Sequence, residues 1–292
     1  MDRVYNKLGY NNEKMKLAAS IYLTMPGIPF IYYGEELGMV GTGSHENIRR
    51  PMQWSSSTNS GFTNSIPWKS IGNNYLTNNV EIMSNNNHSL MNHYKKLIKI
   101  RNEQSALRRG NILILENESE ELLSFIRTFR NKAVLFNCNL SLNLLNPTIS
   151  LSKSSIPKGN YYLYDLYNNN DLGTLAINSE GGFESYDLFP NGLGGLESSI
   201  ILLSQDSITN TLLENEIIIS PNPTSNSFTI FLEGEPFQKA LVTIFSSKGK
   251  LIFEREMKEE LFTINTKNWA KGIYIIVFSS NTQRIVKKVV IN

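Results

Sequence analysis

Cysteine is almost absent. Cys138 is the one thiol in 292 residues, so an internal disulfide framework is excluded. It lies in the apolar run AVLFNCNL, where a buried, inert thiol is expected. An excess of either charge is missing as well. With 28 basic and 26 acidic residues the net charge is +2, which gives no electrostatic footprint for nucleic acid or an anionic membrane. No apolar run reaches the ~18 to 20 residues of a membrane-crossing helix. The opening MDRVYNKLGY lacks the apolar segment of a signal peptide. Histidine is scarce, and His45, His88 and His93 have no partners at metal-ligand spacing, so all three are expected at the surface and no metal site is predicted.

What is present begins with a helix, a short loop and an apolar run. Asn11 to Thr24 reads as a helix, with Asn11 or Asn12 as its cap and Glu13 in the first turn. Leu17, Ala18, Ile21 and Tyr22 form its apolar stripe, and Pro26 helps end it. Pro29 to Tyr33, PFIYY, then reads as a strand buried on both faces, as in a parallel sheet. Together these make one repeat of an α/β fold, with Gly34, Glu35 and Glu36 at the C-terminal end of the strand. One such strand is no barrel. Closure takes eight strands and about 250 residues, so this segment is expected to need partner strands that the chain does not supply.

A polar loop over 40–87 leads to a helix over 89–105, with Leu90, Tyr94, Leu97, Ile98 and Arg101 along one side. The period then changes. Short β-rich runs at 112–115, 122–129, 133–138, 161–166 and 199–203, separated by Gly, Asn and Pro turns, predict an antiparallel β-sandwich. A polar linker is expected over 205–216. A second set of strands follows from Ile217, with Ser247-Lys248-Gly249-Lys250 as a hairpin turn.

Two strings near the N-terminus, PGIPFIYYGEELGM from Pro26 and RRPMQW from Arg49, resemble the last strand and following loop of the catalytic barrel of glycoside hydrolase family 13, the α-amylase family. At the other end, Ser220-Pro221-Asn222-Pro223, Ser247-Lys248-Gly249-Lys250, Lys271-Gly272-Ile273-Tyr274 and Lys287-Lys288-Val289-Val290 resemble the C-terminal sorting domain of the type IX secretion system of Bacteroidota. The implied fold class is α/β plus all-β. Residues 1–107 would be the C-terminal remnant of a (β/α)₈ TIM barrel, 108–204 an antiparallel β-sandwich, 205–216 a linker, and 217–292 the sorting domain, an immunoglobulin-like β-sandwich.

Glycoside hydrolysis needs two carboxyl groups flanking the scissile bond. Glu35 and Glu36, as neighbours on a strand, would point to opposite faces and cannot flank one sugar. They are expected at the pocket rim or in structural support. The resemblance implies that the family's nucleophile, acid and third carboxylate all precede Met1, which then reads as an internal methionine. It also implies that calcium sites lie mainly upstream, so no catalytic residue and no cofactor is expected in this chain. On the substrate side the candidates are Arg49, to orient a carboxylate or bond sugar hydroxyls, Gln53 and Trp54, to touch a glucan, and Glu36 near the rim. For Trp54, and for Met52 beside it, packing of the loop is the competing role.

The reading that results is part of a secreted enzyme that hydrolyses α-glucans or malto-oligosaccharides with retention. α-Glucosidase, oligo-1,6-glucosidase and trehalose- or trehalulose-forming activities stay equally open. Its partners would be the glucan and the type IX machinery, with no nucleic acid and no membrane span. A secreted, non-catalytic glucan-binding or surface β-module protein is the alternative from another class.

Overall fold

A computed structural model describes residues 1–205, 217–232, 241–256, 261–279 and 284–292. All but the first residue of the expected linker lies outside the described residues. Contacts divide the chain into two compact units, residues 1–206 and 207–292. Among the described residues, no helix is long and apolar enough to cross a membrane.

The first unit opens with α1 (Val4–Lys7) and α2 (Asn12–Thr24). The Asn11 side chain accepts a bond from the Lys14 N–H at 3.0 Å, as its place before the helix predicts. The buried side of α2 is Met15, Ala19, Ser20, Leu23 and Thr24, with Leu17. The expected stripe is therefore displaced, and Ala18, Ile21 and Tyr22 are only half-buried. The cause is the neighbour: α2 packs mainly against a long helix rather than on a sheet. That helix, α5 (Leu90–Glu103), follows α3 (His45–Ile48) and α4 (Val80–Ser84) and precedes the short α6 (Ser105–Arg109). Ser89 caps it, accepting from the Asn92 N–H at 3.2 Å.

The strand expected at Pro29–Tyr33 does not form. Residues 28–32 carry no regular structure, and Ile28 and Phe30 are 83% and 88% exposed. A strand exists through its ladder, and among the described residues no β-strand precedes Asn111 to pair with this one. The apolar pattern is present, but its partners are not.

Behind α6 the chain builds two facing sheets. One has the order β1-β3-β4-β9-β6-β7, from Asn111–Ile114, Leu122–Phe129, Lys132–Asn139, Ser198–Ser204, Gly159–Asp165 and Asn170–Ile177. The other pairs β2 (Glu116–Asn117), β5 (Thr148–Leu151) and β8 (Phe183–Asp187). Leu135, Leu163, Ile201, Ile149 and Phe183 meet in the core between them. Cys138 is buried in β4, and burial pushes its thiol up to about 12, which fits an inert role.

Two arginines hold the end of α2, one from the long helix and one from the sandwich. Arg101 on α5 donates to the carbonyls of Met25 at 3.0 Å and Gly27 at 2.6 Å, just past the end of α2. Arg127 on β3 donates to the Thr24 carbonyl and, at 2.8 Å, to that of Gly110. They satisfy terminal carbonyls and place positive charge at the helix's negative end. Burial, with Arg101 nearby, holds the Arg127 guanidinium down to about 10.

The second unit is also a pair of sheets. One runs β10-β11-β14 (Ile217–Ser220, Ser227–Leu232, Leu261–Asn265) and the other β13-β12-β15-β16 (Leu251–Glu256, Leu241–Ser246, Gly272–Ser279, Arg284–Ile291). Phe228, Ile230, Val242, Ile244, Ile276 and Val289 fill the core. The predicted hairpin turn is there: Gly249 takes φ +77° and donates to the Ser246 carbonyl at 2.9 Å. The first and last of the four short motifs meet. Asn222 donates to the Lys288 carbonyl at 2.8 Å and accepts from the Val290 N–H at 2.9 Å, so it locks the terminal strand.

Candidate functional site

Glu35 and Glu36 lie on a 3₁₀ turn, Glu35–Leu37, bounded by Gly34 and Gly38 at φ +77° and +66°. Strand alternation therefore does not apply to them, and successive residues of such a turn diverge by about a third of a revolution. A glycine is required at 34. A Cβ there would lie 2.1 Å from the Met39 sulfur, in a left-handed conformation that already disfavours side chains. The Glu35 carboxylate accepts from Tyr22 at 3.0 Å and from Tyr94 at 2.7 Å. Burial beside this anion pushes both phenols well above the ordinary tyrosine range, so they remain donors. Glu35 is thus a structural anchor tying the turn to α2 and α5. Burial raises the Glu36 carboxyl, partly offset by bonds to backbone N–H groups and by Arg3.

Arg3, not singled out from the sequence as a site residue, organises the neighbourhood. It is buried, donates to the Ile48 carbonyl at 2.9 Å and the Tyr33 carbonyl at 2.7 Å, and sits 4.9 Å from the ring centres of Tyr32 and Tyr33. One of its terminal nitrogens is buried with no partner. A cavity of about 260 Å³ opens here, lined by Asp2, Arg3, Tyr5, Tyr32, Glu35 and Met39 among others.

The remaining expected substrate contacts separate. Arg49 is exposed just past α3, and its Nε donates to the His45 carbonyl at 3.1 Å. Trp54 is 49% exposed. Met52 packs against the cluster of Leu37, Met39, Met83 and Met91. Gln53 is fully buried: its amide nitrogen bonds Asn74 at 3.3 Å and the Asn78 carbonyl, while its side-chain oxygen is unpaired. In this structure Gln53 holds the loop together, and Arg49 and Trp54 face water.

His93 corrects the surface expectation. It is 7% exposed, between α2, α5 and the turn after β6. Its Nε2 lies 3.2 Å from the Ser20 hydroxyl and 3.0 Å from the Lys16 carbonyl, and its Nδ1 lies 2.6 Å from the Tyr167 hydroxyl. Burial holds its pKa down to about 4. The signal was its spacing: His93 shares the helix face of Leu90, Leu97 and Ile100. His45 and His88 are exposed, as expected. Among the described residues, no group of three or more His, Cys, Asp or Glu side chains is gathered to hold a metal ion.

Comparison with known proteins finds matches at both ends of the chain. Residues 1–110 match the family model described as alpha amylase, catalytic domain, and residues 219–292 match the secretion system C-terminal sorting domain. The chain is 37% identical over 139 residues to Alpha-amylase 3 of Dictyoglomus thermophilum, covering 48% of this chain and 28% of that protein. It is 40% identical over 124 residues to Alpha-amylase SusG of Bacteroides thetaiotaomicron, covering 41% and 18%. It thus spans less than a third of either relative. The crystal structure of alpha-amylase from H. orenii superposes with a TM-score of 0.52 at 30% identity, covering 70% of this chain and 38% of that one.

Proposed function

We propose, from a chain whose residues 1–110 belong to the α-amylase catalytic-domain family and whose residues 219–292 belong to the secretion-system sorting domains, that it serves a secreted glycoside hydrolase. The enzyme acts on α-glucans or malto-oligosaccharides by a retaining mechanism. In this reading residues 1–107 form the end of the barrel, 108–204 the β-sandwich that follows it, 205–216 a linker, and 217–292 the immunoglobulin-like domain that the type IX machinery engages.

One observation carries the reading. Glu35, the best-placed carboxylate, is consumed by two tyrosine hydroxyls and anchors the turn. The other carboxylate lining the Arg3 pocket, Asp2, is paired with Lys7 at 2.9 Å, and Glu36 is not among the lining residues. The chain supplies substrate-side surface, namely Glu36, Arg49 and Trp54, with Gln53 bracing the loop that carries them. The nucleophile and acid come from sequence outside residues 1–292.

The test is reducing-sugar release from soluble starch and maltosides by residues 1–292. No turnover above buffer is expected. Turnover that disappears in Glu35→Gln or Glu36→Gln would overturn the assignment of these groups.

A further inference from the structure

An antiparallel sheet packed on one side alternates apolar residues inward with polar residues outward. The last two strands of the second unit break that rule. Tyr274, Ile276 and Phe278 of β15 and Val289 and Ile291 of β16 point into the core and are at most 5% exposed. The residues between them face out, since directly paired residues share a face: Ile273 lies opposite Val290, Ile275 opposite Lys288 and Val277 opposite Val286. Five of those six are apolar, which makes the outer face as oily as the inner one. Ile273 is 47% and Val286 57% exposed, and Ile275 and Val290 are half-buried. The apolar surface continues onto β12, where the half-buried Phe245 lies opposite Ile275. Strands apolar on both faces belong to sheets covered on both faces, and the sheet β10-β11-β14 covers only the inner one. We propose that the outer face of β15 and β16, around Lys288, is the surface that the type IX machinery grips, through an apolar receptor surface carrying a carboxylate for Lys288.

The short motifs of this unit divide between the two faces. Lys271-Gly272-Ile273-Tyr274 and Lys287-Lys288-Val289-Val290 are remote in sequence but adjacent in the sheet, where Tyr274 pairs with Val289 and Ile273 with Val290. Folding accounts for one half of each. Tyr274 and Val289 are core, the Tyr274 hydroxyl donates to the Ala270 carbonyl at 2.8 Å, and Asn222 fixes the backbone at Lys288 and Val290. The core makes no use of the other half, Ile273 and the Lys288 side chain. In a domain that matches sorting sequences over residues 219–292, outward apolar residues that the fold does not need are available to a receptor.

Charge sets the chemistry of that receptor. Lys288 is exposed and makes no ion pair with any described residue. Two carboxylates share its face, Glu254 and Glu256, but they lie on β13 at the opposite edge of the sheet, across from Thr243 and Leu241. A single unpaired cation inside an apolar surface fixes the register of a partner that meets it with a carboxylate, and disfavours one that meets it with a cation.

This surface depends on the sorting role proposed above, and one experiment separates the two. The 292-residue chain is given a signal peptide and expressed in a type IX-competent host and in a mutant lacking that machinery. Four forms are compared: the parent, Ile273→Thr/Val286→Thr, Lys288→Glu, and Thr263→Glu on the outer face of the other sheet. Threonine keeps the β-branching of a strand residue, and all the substituted positions are exposed, so the purified variants are expected to melt close to the parent. Export of the double variant and of Lys288→Glu is expected to fall by about tenfold, while Thr263→Glu is exported like the parent. A parent retained by both hosts, or exported equally by both, overturns the sorting role itself. A parent exported only with the machinery, with both face variants exported at its level, overturns the surface alone, and an equal loss in Thr263→Glu does the same. Sedimentation of the purified parent adds one more outcome: a dimer that the double variant dissolves assigns the face to a second copy and overturns the receptor.

Discussion

Lowering the pH through the range where histidine titrates should unlatch the helices from the sandwich at one point, His93. Folded, its pKa is held down to about 4 against an ordinary value of 6.5. Burial is the main cause. The charges of Lys16 and Lys96 also disfavour the cation, while Glu13 and the bond to the Lys16 carbonyl favour it. Tyr167, which bonds Nδ1, carries Lys96 over its ring at 4.2 Å and is itself raised by burial, Glu13 and Asp165.

Between pH 6.5 and about 4 the unfolded chain binds a proton at this residue that the folded chain refuses. The contribution is complete above pH 6.5 and is lost as the pH falls through this window. At 1.36 kcal/mol per unit, the full loss is about 3 kcal/mol, of which about 2 kcal/mol is gone by pH 5. Urea unfolding at pH 7, 6 and 5, comparing the parent with His93→Gln, isolates the effect, since carboxylate titrations are common to both. His93→Gln should be less stable at pH 7 by about 1 to 3 kcal/mol, from hydrogen bonds lost in a buried site. The gap should close as the pH falls to 5. Parallel curves for the two proteins would refute the argument.

Gly34→Ala should destabilise the first unit by about 2 to 4 kcal/mol, combining a left-handed conformation with overpacking against Met39; an unchanged urea midpoint would count against the turn described here. Limited chymotrypsin digestion should cut first beside the exposed Phe62 or Trp68 and spare α5, which Arg101 and His93 fasten. Mass spectrometry showing a first cut inside α5 would contradict that order. A reporter carrying a signal peptide fused to residues 217–292 should be exported and processed in a type IX-competent host and retained in a mutant lacking that machinery. Equal export from both hosts would remove the sorting role.

Local features were legible in residue order. The Asn11 cap, the hairpin at Ser247–Lys250 and the strands over 122–129 and 133–138 depend on neighbours a few residues away, and each formed where the pattern placed it. The strand at Asn170–Ile177 was missed because NDLGTLAI reads as polar, with a glycine in its middle; it is an edge strand, paired only to β6, and needs little burial. Gln53 was expected to touch a glucan, because nothing in its neighbours announces that Asn74 and Asn78 will close over it.

By itself, the sequence determined the kinds of element and the kinship of both ends, since periodicity, caps and short motifs are written in consecutive residues. Only the tertiary structure decided what each element became. PFIYY has every local mark of a buried strand, but a strand is completed by backbone partners, and none in the described chain reaches it. His93 became a buried latch and Glu35 an anchor through contacts from Tyr167 and Tyr94. For His93 and Glu35 those contacts come from 74 and 59 residues away, and such separations leave no trace in local pattern.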